Sequence, residues 1–251
     1  MKTFFTNRKI ITISATTILL LIWKLVSLLV KSEIIIPSPE KTILTLITLS
    51  SGTTFWICVF STVLRGVTGF ILSFMVALPL GIISGFNDIV KAFLQPAIIV
   101  LRSTPVVAFI LMALIWFSPD KLPVFIAFLT MFPLIYTNIA EGVKNVDSRF
   151  MEMARIYRLS FYKTVKGIYI PSIMPFLFSG VSSALGFGWR AIIVGEVLSQ
   201  PRFGIGSQMQ NAQIYLLVPN IIAWTIVAVL VSYFFEKLIH FIERKIIKWR
   251  I

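Results

Sequence analysis

The chain of 251 residues is 57% hydrophobic and only 13% charged, and it carries a formal net charge of +13 at pH 7. Together with a mean hydropathy of +0.93, this composition excludes a soluble domain and predicts a polytopic membrane protein. The positive charge is explained by membrane topology and attraction to anionic lipid, so we expect lipid contacts and no nucleic-acid binding.

Six apolar stretches are candidate membrane helices, because a hydrocarbon core of about 30 Å needs roughly 20 apolar residues. They cover approximately residues 10–30, 57–86, 103–118, 123–142, 176–198 and 217–238. The first stretch follows basic residues, as in a signal peptide, but it is longer than a usual signal core and no small-x-small cleavage site closes it before Lys31. We therefore expect a retained first helix.

The distribution of Lys and Arg predicts the orientation, because these residues are retained on the cytoplasmic side. With both termini inside, the inner segments carry 16 of the 23 basic residues and the outer segments carry 4. The inner segments are 1–9, 87–102, 143–175 and 237–251, and the outer segments are 31–56, 119–122 and 199–216. We expect a multi-pass protein of the inner membrane with cytoplasmic N- and C-termini.

Residues for catalysis are scarce. Cys58 is the only cysteine, which excludes an internal disulfide and Cys-x-x-Cys chemistry. His240 is the only histidine, and its place beside Glu236 and Lys237 favours an interfacial imidazole over a catalytic base. A P-loop needs a Gly-Lys step, and none of the 13 glycines is followed by Lys, so this chain cannot be an ATPase of that kind.

Small residues at four-residue spacing mark two helices for close packing, which is a main source of helix association in lipid. They are Gly81 and Gly85 in the second span, and Gly180, Ala184 and Gly188 in the fifth. Residues 87–102 are predicted to form an interfacial elbow before the third span. Directly after this elbow, Thr104 suits the N-cap of the next helix and Pro105 suits its first turn.

Lys24 lies within the first predicted span, but its long side chain can reach an interface. Three further charged residues within the predicted spans are Arg65, Arg190 and Glu196. A charge there costs several kcal/mol unless it is paired or hydrated, so these residues are candidates for a translocation path or gate. A structural ion pair between spans remains the alternative. Arg190 and Glu196 do not share a helix face, whereas Arg65 lies at a depth from which it can reach Glu196.

Residues 143–175 form the longest inner connection, in which apolar and charged residues alternate as in a helix. Ser160 suits the N-cap of a second short helix through Val165. Two short helices fixed to spans four and five make a rigid element that can transmit movement from a soluble partner. The outer segment 199–216 is rich in Gln and is either a partner-facing surface or a plain polar loop.

This inner connection resembles the EAA loop of ABC importer permeases, the binding-protein-dependent inner-membrane components. Its Glu152-Met-Ala154, position 158 and Ile168-Tyr-Ile170-Pro171 have the spacing of that loop. The resemblance extends over roughly residues 57–250 and is greatest to the nitrate, sulfonate and taurine branch. Supporting stretches are Ser61–Gly66, Leu101–Ala108, Phe132-Pro133 with Asn138, Gly142–Asp147, Gly188–Ala191 with Glu196, and Gly204-Ile-Gly206.

The chain departs from this family at a few positions, with Arg158 where the family usually has Gly and Met153 where it usually has Ala. A Gly at the loop turn allows a positive φ, whereas Arg158 must either accept strain or shift the turn by one residue. The family resemblance nevertheless implies an all-α fold with about six transmembrane helices and a type I ABC importer permease-like (MetI-like) core. It divides the chain into a first helix and linker (1–56), a permease domain (57–240) and a basic tail (241–251).

The resemblance also implies a permease that is not itself an enzyme and binds no cofactor or metal. It implies a homodimer with a second permease, two ABC ATPase subunits that use ATP and Mg, and an external solute-binding protein. Candidate ATPase-docking residues in the loop are Glu152, Met153, Ala154, Arg155, Arg158, Ser160, Tyr162 and Pro171.

The expected solute is a nitrate-, sulfonate- or taurine-like anion, and a thiamine-precursor pyrimidine or another small organic solute is the alternative. Two other classes are disfavoured by the residues. A membrane-embedded enzyme needs clustered His, Asp or Glu, and the chain has ten acidic residues spread along it. An ion-coupled secondary transporter shows repeats and buried carboxylates, and Glu196 is the only clear carboxylate inside a predicted span.

Overall fold

The structure, a computed structural model, describes residues 8–247, and this part of the chain is helical without strands. The first seven residues and the last four, which include part of the predicted basic tail, lie outside it. The helices are α1 (Arg8–Val30), α2 (Pro39–Ser50), α3 (Thr53–Phe86), α4 (Asp88–Ser103), α5 (Val106–Trp116), α6 (Leu122–Lys144), α7 (Ser148–Ile156), α8 (Phe161–Thr164), a π-helical turn (Val165–Tyr169), α9 (Ile170–Ser199), α10 (Ile205–Ile214) and α11 (Val218–Ile246).

Five helices of the described chain are long and apolar enough to cross a membrane. They are α1 from Ile10, α3, α6, the continuous helix Phe161–Ser199 and α11. The pair α4 and α5 passes the same criterion only when taken together, and the two helices are bent by 99°. The predicted polytopic all-α architecture is therefore confirmed, with six spans if the bent pair is taken as one.

The predicted third span, 103–118, is wrong as a single crossing helix. The helix in this region, α5, has 11 residues, or about 16 Å, which is too short for the hydrocarbon core. Because proline disfavours helical backbone at the residue before it, Thr104 is extended with ψ 130° and the chain turns there. Thr104 consequently ends α4, and Pro105 takes the N-cap position predicted for Thr104.

Two other boundaries differ from the predicted ones. The second helix of the inner connection does not end near Val165, because α8 continues through the π-helical turn into α9. The outer segment 199–216 is not a plain loop, since it contains α10, whose Ile205 is fully buried. Alternation of polar and apolar residues over ten positions is too short a pattern to separate a loop from such a helix.

Helix α6 lies at the centre, between α3 on one side and α9 on the other. Its Met131, Ile135 and Ile139 are fully buried in the main hydrophobic core. The small residues predicted for packing face this helix. An added Cβ would lie 2.9 Å from Ile139 at Gly81 and 2.7 Å from Asn138 at Gly180, and it would clash with Val143 at Gly85 and with Met131 at Gly188. Ala184, between Gly180 and Gly188 on α9, is fully buried.

Helix α1 stands apart from this core, and its apolar side chains are exposed. The Trp23 indole N–H donates to the Pro37 carbonyl at 3.0 Å, and Lys24 pairs with Glu40 of α2 at 2.8 Å. This contact with Lys24 holds the pKa of the Glu40 carboxyl below its usual value. The first helix is thus tied to the rest of the chain mainly at its end near α2.

Candidate functional site

A fully buried carboxylate, Glu196, lies near the end of α9, and its oxygens accept hydrogen bonds from three donors. The Thr62 hydroxyl donates at 2.9 Å to one oxygen and lies 3.0 Å from the other. Arg65 Nη1 donates at 2.7 Å, and the Gly206 backbone N–H donates at 2.9 Å. Because a buried charge is tolerated only when it is paired and hydrogen-bonded, this arrangement is what permits Glu196 at this position.

The Arg65 guanidinium extends the cluster to the connections before α6 and before α10. Its Nη1 also donates to the Phe203 carbonyl at 2.7 Å, and its Nη2 donates to Asp120 Oδ1 at 2.6 Å. Arg65 is 8% exposed and Glu196 is fully buried, whereas the Asp120 side chain is 68% exposed. One guanidinium therefore joins α3, α9, the turn before α6 and the segment before α10. We call Thr62, Arg65, Asp120 and Glu196 the outer cluster.

Two glycines allow the chain to pass close to Glu196. An added Cβ at Gly204 would lie 2.8 Å from the Glu196 carboxyl carbon, and one at Gly206 would clash with the Ile193 carbonyl. The intervening Ile205 donates its N–H to the Thr62 hydroxyl at 2.9 Å. The glycines thus let two backbone N–H groups reach a buried hydroxyl and a buried carboxylate.

The three charged residues predicted within spans lie in two separate places. Arg65 and Glu196 form the contact that their depth suggested, whereas Arg190 is exposed on α9. The Arg190 guanidinium lies 5.9 Å from the centre of the Phe187 ring. No ion pair of Arg190 is found among residues 10–247. Arg190 also lines an open cavity between α9 and α11 that includes Glu236.

Exposed side chains of α9 form a stripe that the chain itself leaves uncovered. Its members are Ser179, Ser183, Phe187, Arg190, Val194 and Leu198. They recur at three- and four-residue spacing, so they share one face of the helix. An added Cβ at the adjacent Gly186 would meet nothing within 4 Å. Hydroxyls and a guanidinium on this face are unfavourable against lipid, so the stripe requires water or protein opposite it.

Sequence reasoning missed two members of the outer cluster, Thr62 and Asp120. Thr62 is three residues before Arg65, and this helical spacing places both on one face, so the spacing could have identified it. Asp120 lies in a Pro-containing turn, 55 residues from Arg65, and no sequence pattern links the two. In the described chain, no group of three or more His, Cys, Asp or Glu residues is arranged to hold a metal ion.

The second candidate site is the short helix α7 in the inner connection. The Asp147 side chain caps its first turn by accepting from the Arg149 N–H at 2.9 Å, and it also pairs with the Arg149 guanidinium at 2.7 Å. This contact with Arg149 lowers the pKa of the Asp147 carboxyl. The N-terminus of α7 is thus fixed by two interactions of one carboxylate.

The C-terminus of α7 is closed by Arg158 in the left-handed conformation, with φ 47°. The Leu159 N–H donates to the Ala154 carbonyl at 2.9 Å, and the Arg158 N–H donates to the Arg155 carbonyl at 3.1 Å. These two bonds are the Schellman motif, in which glycine is usual at the position that Arg158 occupies. Arg158 therefore adopts the strained conformation, and the turn is not shifted by one residue.

The predicted docking residues of the loop differ in how far they are exposed to solvent. Ala154 faces inward and is 5% exposed, and Pro171 is half-buried beside a cavity under α7. The exposed ones are Glu152, Met153, Arg155, Arg158, Ser160 and Tyr162. Ser160 takes the predicted N-cap position of α8, although its side chain makes no capping hydrogen bond. Large apolar side chains are exposed beside them, namely Ile156, Tyr157 and Phe161.

The chain resembles known membrane proteins over most of its length. Residues 77–248, more than half of the chain, match the family described as binding-protein-dependent transport system inner membrane component. The putative aliphatic sulfonates transport permease protein SsuC of Bacillus subtilis is 27% identical over 93% of this chain and 85% of its own. The bicarbonate transport system permease protein CmpB of Synechococcus elongatus is 28% identical over 77% of this chain and 70% of its own. The taurine transport system permease protein TauC of Escherichia coli is 22% identical over 95% of this chain and 90% of its own.

Proposed function

We propose a function that proceeds from the family: the chain belongs to the binding-protein-dependent transport system inner membrane components, the permease subunits of ABC importers. In this proposal the chain forms the translocation path for a small anion delivered by an external binding protein. It works as a homodimer with two ATPase subunits that use ATP and Mg. It lies in the inner membrane, and both of its termini are cytoplasmic.

The exposed surface of α7 and the following turn is the observation that carries the proposal. It combines apolar side chains, among them Ile156 and Phe161, with the cations of Arg155 and Arg158. Exposed apolar groups rimmed by charge are typical of protein interaction sites. We call residues 148–162 the docking surface, and we assign it to the ATPase subunit. Arg155 and Arg158 favour acidic side chains opposite them on that partner, and the exposed carboxylate of Glu152 favours a basic one.

The way in which the docking surface is attached supports a role in coupling. On one side α7 follows α6 after three residues, and on the other side α8 continues without a break into α9. Phe86 at the end of α3 also packs edge-to-face against Tyr169 of the π-helical turn, with ring centres 5.0 Å apart. A displacement of the docking surface is therefore transmitted to α3, α6 and α9, which are the helices that form the core.

The exposed stripe of α9 is the proposed wall of the translocation path. Arg190 lies within a span, and it is tolerated there if water, solute or a second copy faces it. The relatives named above are described as permeases for sulfonates, bicarbonate and taurine, which are all anions or carry an anionic group. An exposed arginine suits such a solute, because it lowers the electrostatic cost of bringing an anion into an apolar region. Arg65 and Glu196 are proposed as a brace at the outer end of the path.

The test is co-purification of the tagged full-length chain, in mild detergent, from cells that also express its ATPase. Glu152 is exposed and has no ion-pair partner among the described residues. We expect Glu152→Lys to leave the chain inserted and to lose the ATPase together with solute-dependent ATP hydrolysis. Glu33→Lys makes the same charge reversal on an exposed residue near α2 and is the matched control.

The outcomes separate the possibilities. Retention of the ATPase by wild type and Glu33→Lys, with its loss from Glu152→Lys, supports both the importer function and the docking surface. Unchanged retention and hydrolysis in Glu152→Lys would remove the coupling role of that residue. If cross-linked wild type captures no ATPase, the proposed importer assembly is refuted.

A further inference from the structure

A cavity at the elbow between α4 and α5 combines an unpaired cation with apolar walls. It has a volume of about 290 Å³ and lies against α6 and α9. Its polar groups are Arg102, Thr104 and Thr130, and its remaining lining is apolar. No Asp or Glu contributes to this lining. The cavity therefore has a positive electrostatic potential in surroundings of low polarity.

The cavity lies at a depth where an unpaired arginine side chain is energetically unfavourable. Helix α5 runs for only about 16 Å from the outer turn to the elbow, roughly half of a 30 Å hydrocarbon core. The cavity residue Thr130 is eight positions into α6, at a similar depth of about 12 Å from the start of that helix. Arg102 is exposed, and no ion pair or hydrogen bond of its side chain is found in the described part of the chain. An unpaired guanidinium at this depth requires water or an anion.

Phe187 connects the cavity to the exposed stripe on α9. Phe187 lines the cavity, and its ring carries the Arg190 guanidinium at 5.9 Å from the ring centre. Phe187 thus lies near two cations, because Arg102 lines the same cavity and Arg190 contacts the ring. The Thr130 hydroxyl donates to the Ile126 carbonyl at 2.9 Å, so it can only accept from a ligand. The Thr104 hydroxyl is left as the donor beside Arg102.

We propose that this cavity is a subsite for the transported solute, in which Arg102 and Thr104 hold an oxyanion head and Phe109 and Phe187 cover a short apolar chain. The assignment rests on the proposed importer function. A guanidinium presents paired N–H donors that match the oxygens of a sulfonate or carboxylate. The largely apolar lining favours an organic anion with a hydrocarbon chain over a bare inorganic oxyanion, which would be desolvated there without compensation.

An anionic lipid has the same chemistry, because it also joins an oxyanion head to an apolar chain. The experiment therefore uses the full-length chain in nanodiscs of zwitterionic phosphatidylcholine and, in a second arm, nanodiscs that contain anionic phosphatidylglycerol. The natural Cys58 is fully buried, so wild type provides the background for thiol labelling. Thr130→Cys places a reporter thiol in the cavity wall, and Leu129→Cys provides a second reporter.

The measurement is the rate of labelling by two methanethiosulfonates, one with a sulfonatoethyl group and one with a trimethylammonioethyl group. We expect the sulfonate reagent to react faster at both reporters in phosphatidylcholine. Arg102→Gln should lower the ratio of the two rates about 25-fold, because removal of one charge at about 4 Å in water changes each rate about fivefold and in opposite directions. Arg190→Gln should lower it less, and Arg202→Gln, which removes an exposed arginine at the outer end, should leave it unchanged. Butane-1-sulfonate should slow the labelling more than sulfate does.

Several results would overturn the proposal. An unchanged ratio in Arg102→Gln would mean that the cavity does not select anions, and no labelling at either reporter would mean that anions from water do not reach it. Equal protection by sulfate would refute an organic anion. Loss of labelling in phosphatidylglycerol with no protection by butane-1-sulfonate in phosphatidylcholine would identify a lipid site instead. The assay needs no ATPase, so its outcome is independent of the co-purification test.

Discussion

The Arg65 Nη1 atom lies 2.7 Å from the Glu196 carboxylate, and this contact joins α3 to α9 across 131 positions of the chain. Both residues are nearly or fully buried, and the remaining oxygen contacts of Glu196 are made by Thr62 and Gly206. The pair is therefore a fixed brace between α3 and the last turn of α9.

Removal of one partner of the brace should be strongly destabilising. Arg65→Met leaves a buried carboxylate unpaired, and we expect a loss of about 3–5 kcal/mol in the free energy of unfolding. Glu196→Gln should also destabilise, and the double variant should recover part of the loss, since it removes both charges. Thermal unfolding in detergent measures the cycle. Additive effects of the two single variants would contradict a coupled pair.

Asp120 provides the comparison within the same cluster. It contacts the same guanidinium at 2.6 Å, but its side chain is 68% exposed, so solvent screens the interaction. We expect Asp120→Asn to change the free energy of unfolding by less than about 1 kcal/mol. A loss as large as that of Glu196→Gln, measured in the same unfolding experiment, would show that the exposed carboxylate is the main partner of Arg65.

The close approach of α10 to α9 should make Gly206 intolerant of a side chain. An added Cβ would clash with the Ile193 carbonyl and lie 2.6 Å from the Glu196 Cβ, so Gly206→Ala should destabilise by about 1–3 kcal/mol. Gly186→Ala is the matched control in open space, and we expect it to be neutral or to stabilise by about 0.5–1 kcal/mol. Equal melting temperatures for the two variants would argue against the tight contact.

The strain at Arg158 can be separated from the role of its side chain. Arg158→Gly and Arg158→Ala both remove the guanidinium, but only glycine adopts φ 47° without a steric penalty. We expect the Gly variant to be more stable than the Ala variant by about 1 kcal/mol, measured by protection of the Leu159 amide against hydrogen exchange. If both variants lose the ATPase to the same extent, docking depends on the guanidinium. Equal protection would contradict a strained turn.

The cap of α7 should depend on Asp147. Asp147→Ala removes the hydrogen bond to the Arg149 amide and should raise hydrogen exchange in α7 about fivefold, whereas Asp147→Asn keeps a capping oxygen and should raise it less. Because the pKa of Asp147 is lowered in the folded chain, its stabilising effect is present above its unfolded pKa and is lost as the pH falls through the folded value. Protection in wild type that is lost on acidification, but not in Asp147→Asn, is the expected signature.

The contacts of Arg65 and Glu196 show which parts of this site could be predicted from the sequence. Arg65 and Glu196 could be identified because a charge within an apolar span needs a partner, and their similar depth pointed to each other. Asp120 and the Phe203 carbonyl could not be identified, since each lies in a connection whose path depends on the packing of the spans. The family resemblance, found from the spacing of the inner connection, is confirmed by the match over residues 77–248.

The sequence by itself determined which segments enter the membrane, because the energy of transfer into lipid depends on composition along roughly 20 residues. It also determined the all-α class, since apolar stretches of about 20 residues have the length of membrane helices, which satisfy their own backbone hydrogen bonds in lipid. Only the tertiary structure decided that α4 and α5 bend by 99° and that Asp120 contacts Arg65. Those features depend on which side chains meet across helices far apart in the chain, and a local pattern carries no information on such contacts.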